Sequence, residues 1–468
     1  MVWLLIDKTP PAWDQSAHIR SVILASQGGK FIELVRSFGG YPPLIYFIGG
    51  VWMNVFGVMT ITLLNSVFLI LAVIGVYFLG GLLPAILFSL FPVVYDISRS
   101  FLLDLPLMVF VIWGLLFWIR GKDNWLWLML ILASLTKLNG FLYFVPIFLF
   151  LLWENRKDVD FWLRMVMGGL VYLVCVGWWW GVNFQNIYQY LTGLAGTGEA
   201  LTDPMNLMSW VTWIHYFRLF FLHQVGPIVA ILAVVSWFGI ERNEKNKRLI
   251  FWTIATYVIF TIIRNKDFRF TMPLLPVVAL WLGDWLLKIK YKWVAYIFIV
   301  YLFFNFVENS FGWPFRKPVQ MVTPTFLVGD IDWVNFTDYP VRSASRVVWP
   351  TEKIAEKMVE LEIGKVLVLV NTAEINDNNL KMYREMLVEQ GDSVLEMHSV
   401  YVPNFNDWQN FEAVLVGGKN FEPAPFYATN LEYLKQTRDF IWQNPERFEK
   451  IREYYLPSGE SVYLMRVR

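Results

Sequence analysis

Met59-Thr60-Ile61-Thr62-Leu63-Leu64-Asn65-Ser66-Val67-Phe68-Leu69-Ile70-Leu71-Ala72-Val73-Ile74-Gly75-Val76-Tyr77-Phe78-Leu79 contains no charged side chain. It matches the about 20 apolar residues that a helix needs to cross the hydrocarbon core of a bilayer. Outward from it, apolar stretches separated by short polar breaks recur at 81–97, 102–119, 124–138, 140–153, 161–182, 225–240, 249–263, 270–287 and 293–309, which makes ten candidate spans. The pieces at 124–138 and 140–153 are short and read as tilted, broken at Asn139-Gly140, or partly re-entrant. Met1-Val2-Trp3-Leu4-Leu5-Ile6 is too short to cross alone and lacks a cleavable signal pattern. It reads as the stump of a first span and brings the expected total to about eleven.

Composition agrees with this reading. The chain has 468 residues, 56% hydrophobic, 18% aromatic and 16% charged, with a mean hydropathy of +0.46, the profile of a polytopic membrane protein. The 24 Trp and 21 Tyr suit interfacial belts. The net charge of +1 hides a split: residues 1–310 carry 22 Lys/Arg against 16 Asp/Glu, and residues 311–468 carry 17 against 22. A bilayer portion at 1–310 therefore gives way to a soluble portion at 311–468. Cys175 is the single cysteine, so an intrachain disulfide and a cysteine-based metal cluster are excluded. Nothing in the composition points to a nucleic-acid partner.

Basic clusters set the orientation. The loops with Arg120/Lys122, Arg156/Lys157/Arg164, Arg242/Lys245/Lys247/Arg248 and Lys288/Lys290/Lys292 fall on one side, which the positive-inside rule makes cytoplasmic. The other side then receives Asp14, the segment from 308 onward, and Arg99, Lys137, Arg264, Lys266 and Arg269 at span ends, as candidates for binding anions. Residues 14–57 read as an external excursion whose two helices lie along the membrane surface, the second opened by Pro42-Pro43. Residues 183–222 read as a second excursion, in which Gly193, Gly196 and Gly198 precede an aromatic helix at Trp210–Phe221 and make a lid.

Five motifs stand at outer span ends: Trp13-Asp14-Gln15-Ser16-Ala17-His18, Tyr41-Pro42-Pro43-Leu44, Ser98-Arg99-Ser100-Phe101-Leu102-Leu103-Asp104, Leu135-Thr136-Lys137-Leu138-Asn139-Gly140 and Asp267-Phe268-Arg269-Phe270-Thr271-Met272-Pro273-Leu274-Leu275-Pro276. In kind and order they resemble the C-type (GT-C) membrane glycosyltransferases, and among these the bacterial branch related to protein O-mannosyltransferases (glycosyltransferase family 39) and the lipid A aminoarabinose transferase. The resemblance runs from Trp13 to about Asn309, roughly two thirds of the chain. It implies an all-α polytopic bundle carrying an extracytoplasmic domain in a prokaryotic plasma (inner) membrane. It also implies transfer of a sugar, with inversion, from a polyprenyl-phosphate donor to an acceptor that is protein, lipid or glycan. The family's acidic pair in the first outer loop falls on Asp14 and Gln15, so only Asp14 inherits the catalytic role. Tyr41 stands where relatives can carry a basic residue, and Asp104 matches their acidic residue at the corresponding span end.

Inverting displacement needs one base to take the acceptor's proton, whereas a retaining hydrolase needs a second carboxylate as nucleophile. Asp14 is that base. The departing phosphate is stabilised by positioned cations in a site with little water, a task for Lys137, Arg264, Lys266, Arg269 and Arg99. Asp104, His18 and Tyr41 complete the expected site. Each residue also has a plain reading. Asp14 caps the helix beginning near Ser16, Asp104 caps its own helix and pairs with Arg99, His18 is a surface histidine, and Asp267 neutralises a neighbour. Lys137 in an apolar region demands a partner or an aqueous cavity. Asp284 and Lys288 read as an i, i+4 helix pair. Glu199 and Asp203 lie in the glycine-containing loop and stay outside the core site.

The four histidines, at 18, 215, 223 and 398, form no ligand-spaced set, and no metal or other cofactor is expected. Residues 311–468 alternate helix and strand, with Val366-Leu367-Val368-Leu369-Val370, 394–402 and 413–416 as strands between amphipathic stretches at 351–362, 376–390 and 428–453. This makes a small α/β domain with an acceptor-binding or stabilising role, and Gly417-Gly418 is no dinucleotide fingerprint. A transporter or lipid-linked sugar flippase, with charges near the bilayer midplane, and a noncatalytic envelope-assembly scaffold are the rival readings.

Overall fold

A computed structural model of the protein describes residues 2–194, 204, 206–313, 343–387, 396–399, 405–419, 421 and 428–468, with two short strands at 327–328 and 331–332. Glu199 and Asp203 lie outside the described residues.

Among the described residues, four helices are long and apolar enough to cross a membrane: Val58–Gly80, Val159–Gln189, Phe268–Lys288 and Trp293–Phe311. Shorter apolar helices occupy other expected spans, among them Asp104–Ile119 and Pro227–Trp237, and the helix Glu244–Ile262 takes in most of 249–263. Several expected spans are broken. The stretch 81–97 splits into Leu82–Ser89 and Pro92–Ile97, because Pro92 lacks the N–H that would continue the first helix. The 124–153 region breaks at Asn139-Gly140 as anticipated, into Asp123–Ser134, a 3₁₀ turn Gly140–Tyr143 and Val145–Glu154.

The second excursion starts later than 183. One helix runs from Val159 to Leu194, since nothing between 182 and 194 interrupts it by proline or capping geometry. The aromatic helix is Trp210–Leu219 and passes into a π-helical turn, Phe220–Gln224. The first excursion holds Asp14–Gln27, Phe31–Ser37 and Leu44–Phe56. The first and last of these pack closely: a Cβ on Gly50 would stand 3.0 Å from the backbone nitrogen of Ser26. Lys288 pairs with Glu241 at 2.8 Å rather than with Asp284. Loop chemistry outcompetes the helix spacing there.

The C-terminal domain is a five-stranded mixed sheet in the order Glu396–Ser399, Lys365–Val368, Ala413–Gly417, Ser461–Val467, Phe448–Tyr455. The strand Lys365–Val368 is parallel to both neighbours, and the last two strands add antiparallel. Helices Thr351–Glu360 and Asp377–Leu387 match the amphipathic stretches. The expected helix at 428–453 ends at Gln443, and 448–453 belongs to a strand. Phe448 and Tyr454 are buried while Glu449, Lys450 and Arg452 are exposed, so its many charges mask the hairpin strand in sequence.

Candidate active site

Three chain segments meet at one guanidinium. Asp267 opens the 3₁₀ turn Phe268–Leu274 by accepting the Arg269 backbone N–H at 2.9 Å, and its other oxygen accepts from Arg269 Nε at 2.7 Å. The same carboxylate therefore caps the turn and orients the cation. Asp267 also accepts a close contact from an Arg269 terminal nitrogen. Held in this way, the fork lies 3.6 Å from Asp14 Oδ2 and 3.8 Å from Asp104 Oδ2.

Asp104 is the first residue of helix Asp104–Ile119, and its side chain makes no capping bond. Its carboxylate accepts instead from Lys137 Nζ at 2.6 Å. The preceding loop is tied down by Asn65, whose amide donates to the carbonyls of Ser100 and of Leu102, the latter at 3.1 Å. Lys137 reaches Asp104 because the helix Asp123–Ser134 closes in a tight turn. Lys137 N–H donates to Ala133 O at 3.1 Å, and Gly140 N–H to Lys137 O at 2.8 Å. A Cβ on Gly140 would lie 2.2 Å from Ala133 O, so only glycine allows this approach. Lys137 Nζ also lies 5.2 Å from the centre of the Phe270 ring, a favourable position for a cation in apolar surroundings. Tyr143 donates to Phe270 O at 2.7 Å and fixes that segment from the next turn.

Asp14 is not a helix cap. Trp13 holds the N-cap position of Asp14–Gln27, no side chain caps the helix, and the Asp14 side chain is 55% exposed beside Arg269. A solvent-accessible carboxylate abutting a cation is placed to accept a proton from an approaching hydroxyl or amine. His18, one turn on, is buried rather than at the surface. Its Nδ1 is 2.8 Å from the Tyr46 hydroxyl, and its ring meets the Tyr41 ring edge-on at 5.1 Å. Burial lowers its pKa to about 4 against the opposing pull of Asp14, so it is neutral at pH 7. Leu44 N–H donates to Leu135 O at 3.0 Å and docks the Pro42-Pro43 corner on the Lys137 turn.

The structure thus brings Asp14, His18, Tyr41, Asp104, Lys137 and Arg269 together. Arg99 goes elsewhere. It donates to Ser310 and lies against the rings of Trp3, Tyr95 and Phe306, so the Arg99–Asp104 pair does not form. Lys266 is buried and donates to Ile263 O at 2.6 Å, and Arg264 is exposed. Tyr46, Tyr143 and Phe270 carried no role in the sequence reading. No local pattern marks them, because their partners lie 28 to 133 residues away. Among the described residues no three His, Cys, Asp or Glu side chains are arranged to hold a metal ion.

Beside this centre, an apolar cavity of about 270 Å³ is lined by Tyr216, Gln224, Tyr257, Thr271 and Trp281 among others. Gln224 links the two, donating to Phe268 O and, at 2.8 Å, to Thr271 Oγ1.

No family model and no curated protein matches the chain. Solved structures do match, two of them of one enzyme. ArnT from Cupriavidus metallidurans in the apo state is 14% identical with a TM-score of 0.59, the match covering 99% of this chain and 95% of that one. The same enzyme bound to undecaprenyl phosphate is 15% identical with a TM-score of 0.59, covering 100% and 96%. Over its whole length, then, the chain shares the fold of ArnT, the C-type glycosyltransferase fold its five motifs resemble, and its long apolar helices make it an integral membrane protein.

Proposed function

We propose that the protein is a membrane glycosyltransferase that takes a sugar from a polyprenyl-phosphate carrier and passes it, with inversion, to an acceptor hydroxyl or amine. One observation carries the reading: Arg269 stands within 4 Å of Asp14 and of the Asp104 carboxylate that holds Lys137. A base and two phosphate-binding cations thereby share a single centre. The likeness to an ArnT structure with undecaprenyl phosphate bound supports a lipid carrier. The adjoining apolar cavity suits the first isoprene units of such a carrier.

In this mechanism Asp14 accepts the acceptor's proton as its oxygen or nitrogen attacks the anomeric carbon. The carbon–phosphate oxygen bond breaks on the opposite face, and the polyprenyl phosphate leaves with the bonding pair. Lys137 and Arg269 meet its growing negative charge with donors already oriented by Asp104 and Asp267, so little reorganisation accompanies the reaction. Arg264 and Lys266 add positive potential from the adjoining loop. No divalent cation is required, because these fixed cations occupy that electrostatic role. The centre faces the extracytoplasmic side, and the C-terminal domain stands on the same side.

The test is transfer of label from a radiolabelled polyprenyl-phosphate sugar by the purified protein in detergent, with and without a chelator. Turnover that survives chelation and is lost in Asp14→Asn is the expected result. Full turnover in Asp14→Asn removes the base assignment, and donor uptake into vesicles without transfer favours a flippase.

A further inference from the structure

We propose that the C-terminal domain sets the geometry of the catalytic carboxylate, with Asn379 and the Arg20–Glu385 pair as positioning residues that hold the backbone on both sides of Asp14. The inference rests on the reading of Asp14 as the base.

Trp13, immediately before Asp14, has φ 46° and ψ −117°. Residues other than glycine avoid such a strained conformation, so it persists only where the surroundings enforce it. The enforcing contacts come from the soluble domain. Trp13 N–H donates to Ala373 O at 3.2 Å. Asn379, fully buried, donates through Nδ2 to Pro11 O. Arg20, on the same helix as Asp14, donates to Glu385 Oε1 at 3.1 Å. The clamp thus grips residues 11, 13 and 20, and Asp14 lies between them.

The clamping loop is itself stiff. Ile375 N–H donates to Thr372 Oγ1 at 3.0 Å, Asn376 Nδ2 to Thr372 O at 3.0 Å, and Thr351 Oγ1 to Glu374 O at 2.9 Å. It leaves the carboxyl end of Lys365–Val368, the strand with a parallel neighbour on each side. In open α/β sheets that end of that strand is where functional loops converge. Here the membrane domain's own segment 11–13 occupies it, so the domain is built to hold the base rather than only to sit above it.

The experiment compares full-length wild type, Asn379→Ala, Arg20→Glu and Arg20→Glu/Glu385→Arg in detergent. Wild-type label transfer, measured first, tests the enzymatic reading alone. Amide hydrogen exchange at residues 12–16 needs no turnover and tests the clamp alone. Faster exchange there is expected in Asn379→Ala and Arg20→Glu, with kcat down about 10-fold or more and donor KM within about 2-fold, as for a displaced catalytic group. The double swap restores both readouts, although Asp14 itself is untouched. Unchanged exchange at 12–16 in both single variants, or a double swap that leaves kcat depressed, overturns the proposal.

Discussion

Lys137 Nζ sits 2.6 Å from Asp104 Oδ1, and the two side chains keep only 15% and 5% of their exposure. A lysine that sequence places in an apolar region thus finds its counter-charge 33 residues upstream. Removing Asp104 strands the lysine, which costs about 3–5 kcal/mol for a buried pair, whereas removing Lys137 leaves Asp104 only the longer contact to Arg269. Lys137→Met should lower the thermal midpoint in detergent clearly, and Lys137→Met/Asp104→Leu should lower it less than the sum of the single changes. Strict additivity would show that the pair is not coupled.

Asp14 is half exposed, so its role is separable from stability. Asp14→Asn should reduce label transfer by about 10²-fold or more while the unfolding free energy changes by no more than about 0.5 kcal/mol. A parallel loss of both would assign Asp14 to folding instead.

His18 makes stability depend on pH. Its folded pKa of about 4 lies below the ordinary 6.5 because burial disfavours the imidazolium. The unfolded chain therefore takes up the proton first as pH falls. The contribution is complete above about pH 6.5 and is lost on acidification, the loss amounting to about 2 kcal/mol at pH 5. Denaturation profiles of wild type and His18→Gln between pH 7 and 5 should converge toward acid pH. Parallel profiles would contradict the burial.

Gly140 and Gly169 make a matched pair. A Cβ at Gly140 meets the Ala133 carbonyl at 2.2 Å, whereas one at Gly169, inside the helix Val159–Leu194, meets nothing within 4 Å. Gly140→Ala should cost about 1–3 kcal/mol and raise donor KM by displacing Lys137. Gly169→Ala should stabilise by about 0.5–1 kcal/mol. Equal thermal midpoints for the two variants would refute the turn geometry.

Hydropathy is a local property, so the run at 59–79, the break at Asn139-Gly140 and the change of character after residue 310 were all legible in the chain itself. So was the set of motifs, because Asp14, Asp104, Lys137 and Arg269 each stand in a short local signature. Asp267 as the neutraliser of a neighbour was legible for the same reason, since its partner lies two residues on. What one residue does to another far along the chain was not. Only the tertiary structure set Lys137 rather than Arg99 on Asp104, because loop closure decides which cation reaches a carboxylate. It also buried His18 against Tyr46, turned 448–455 into a strand, and brought Ala373 and Asn379 onto the segment before Asp14. Such contacts join positions up to 368 residues apart. Sequence supplies their chemistry, and only packing of the whole chain supplies their distance.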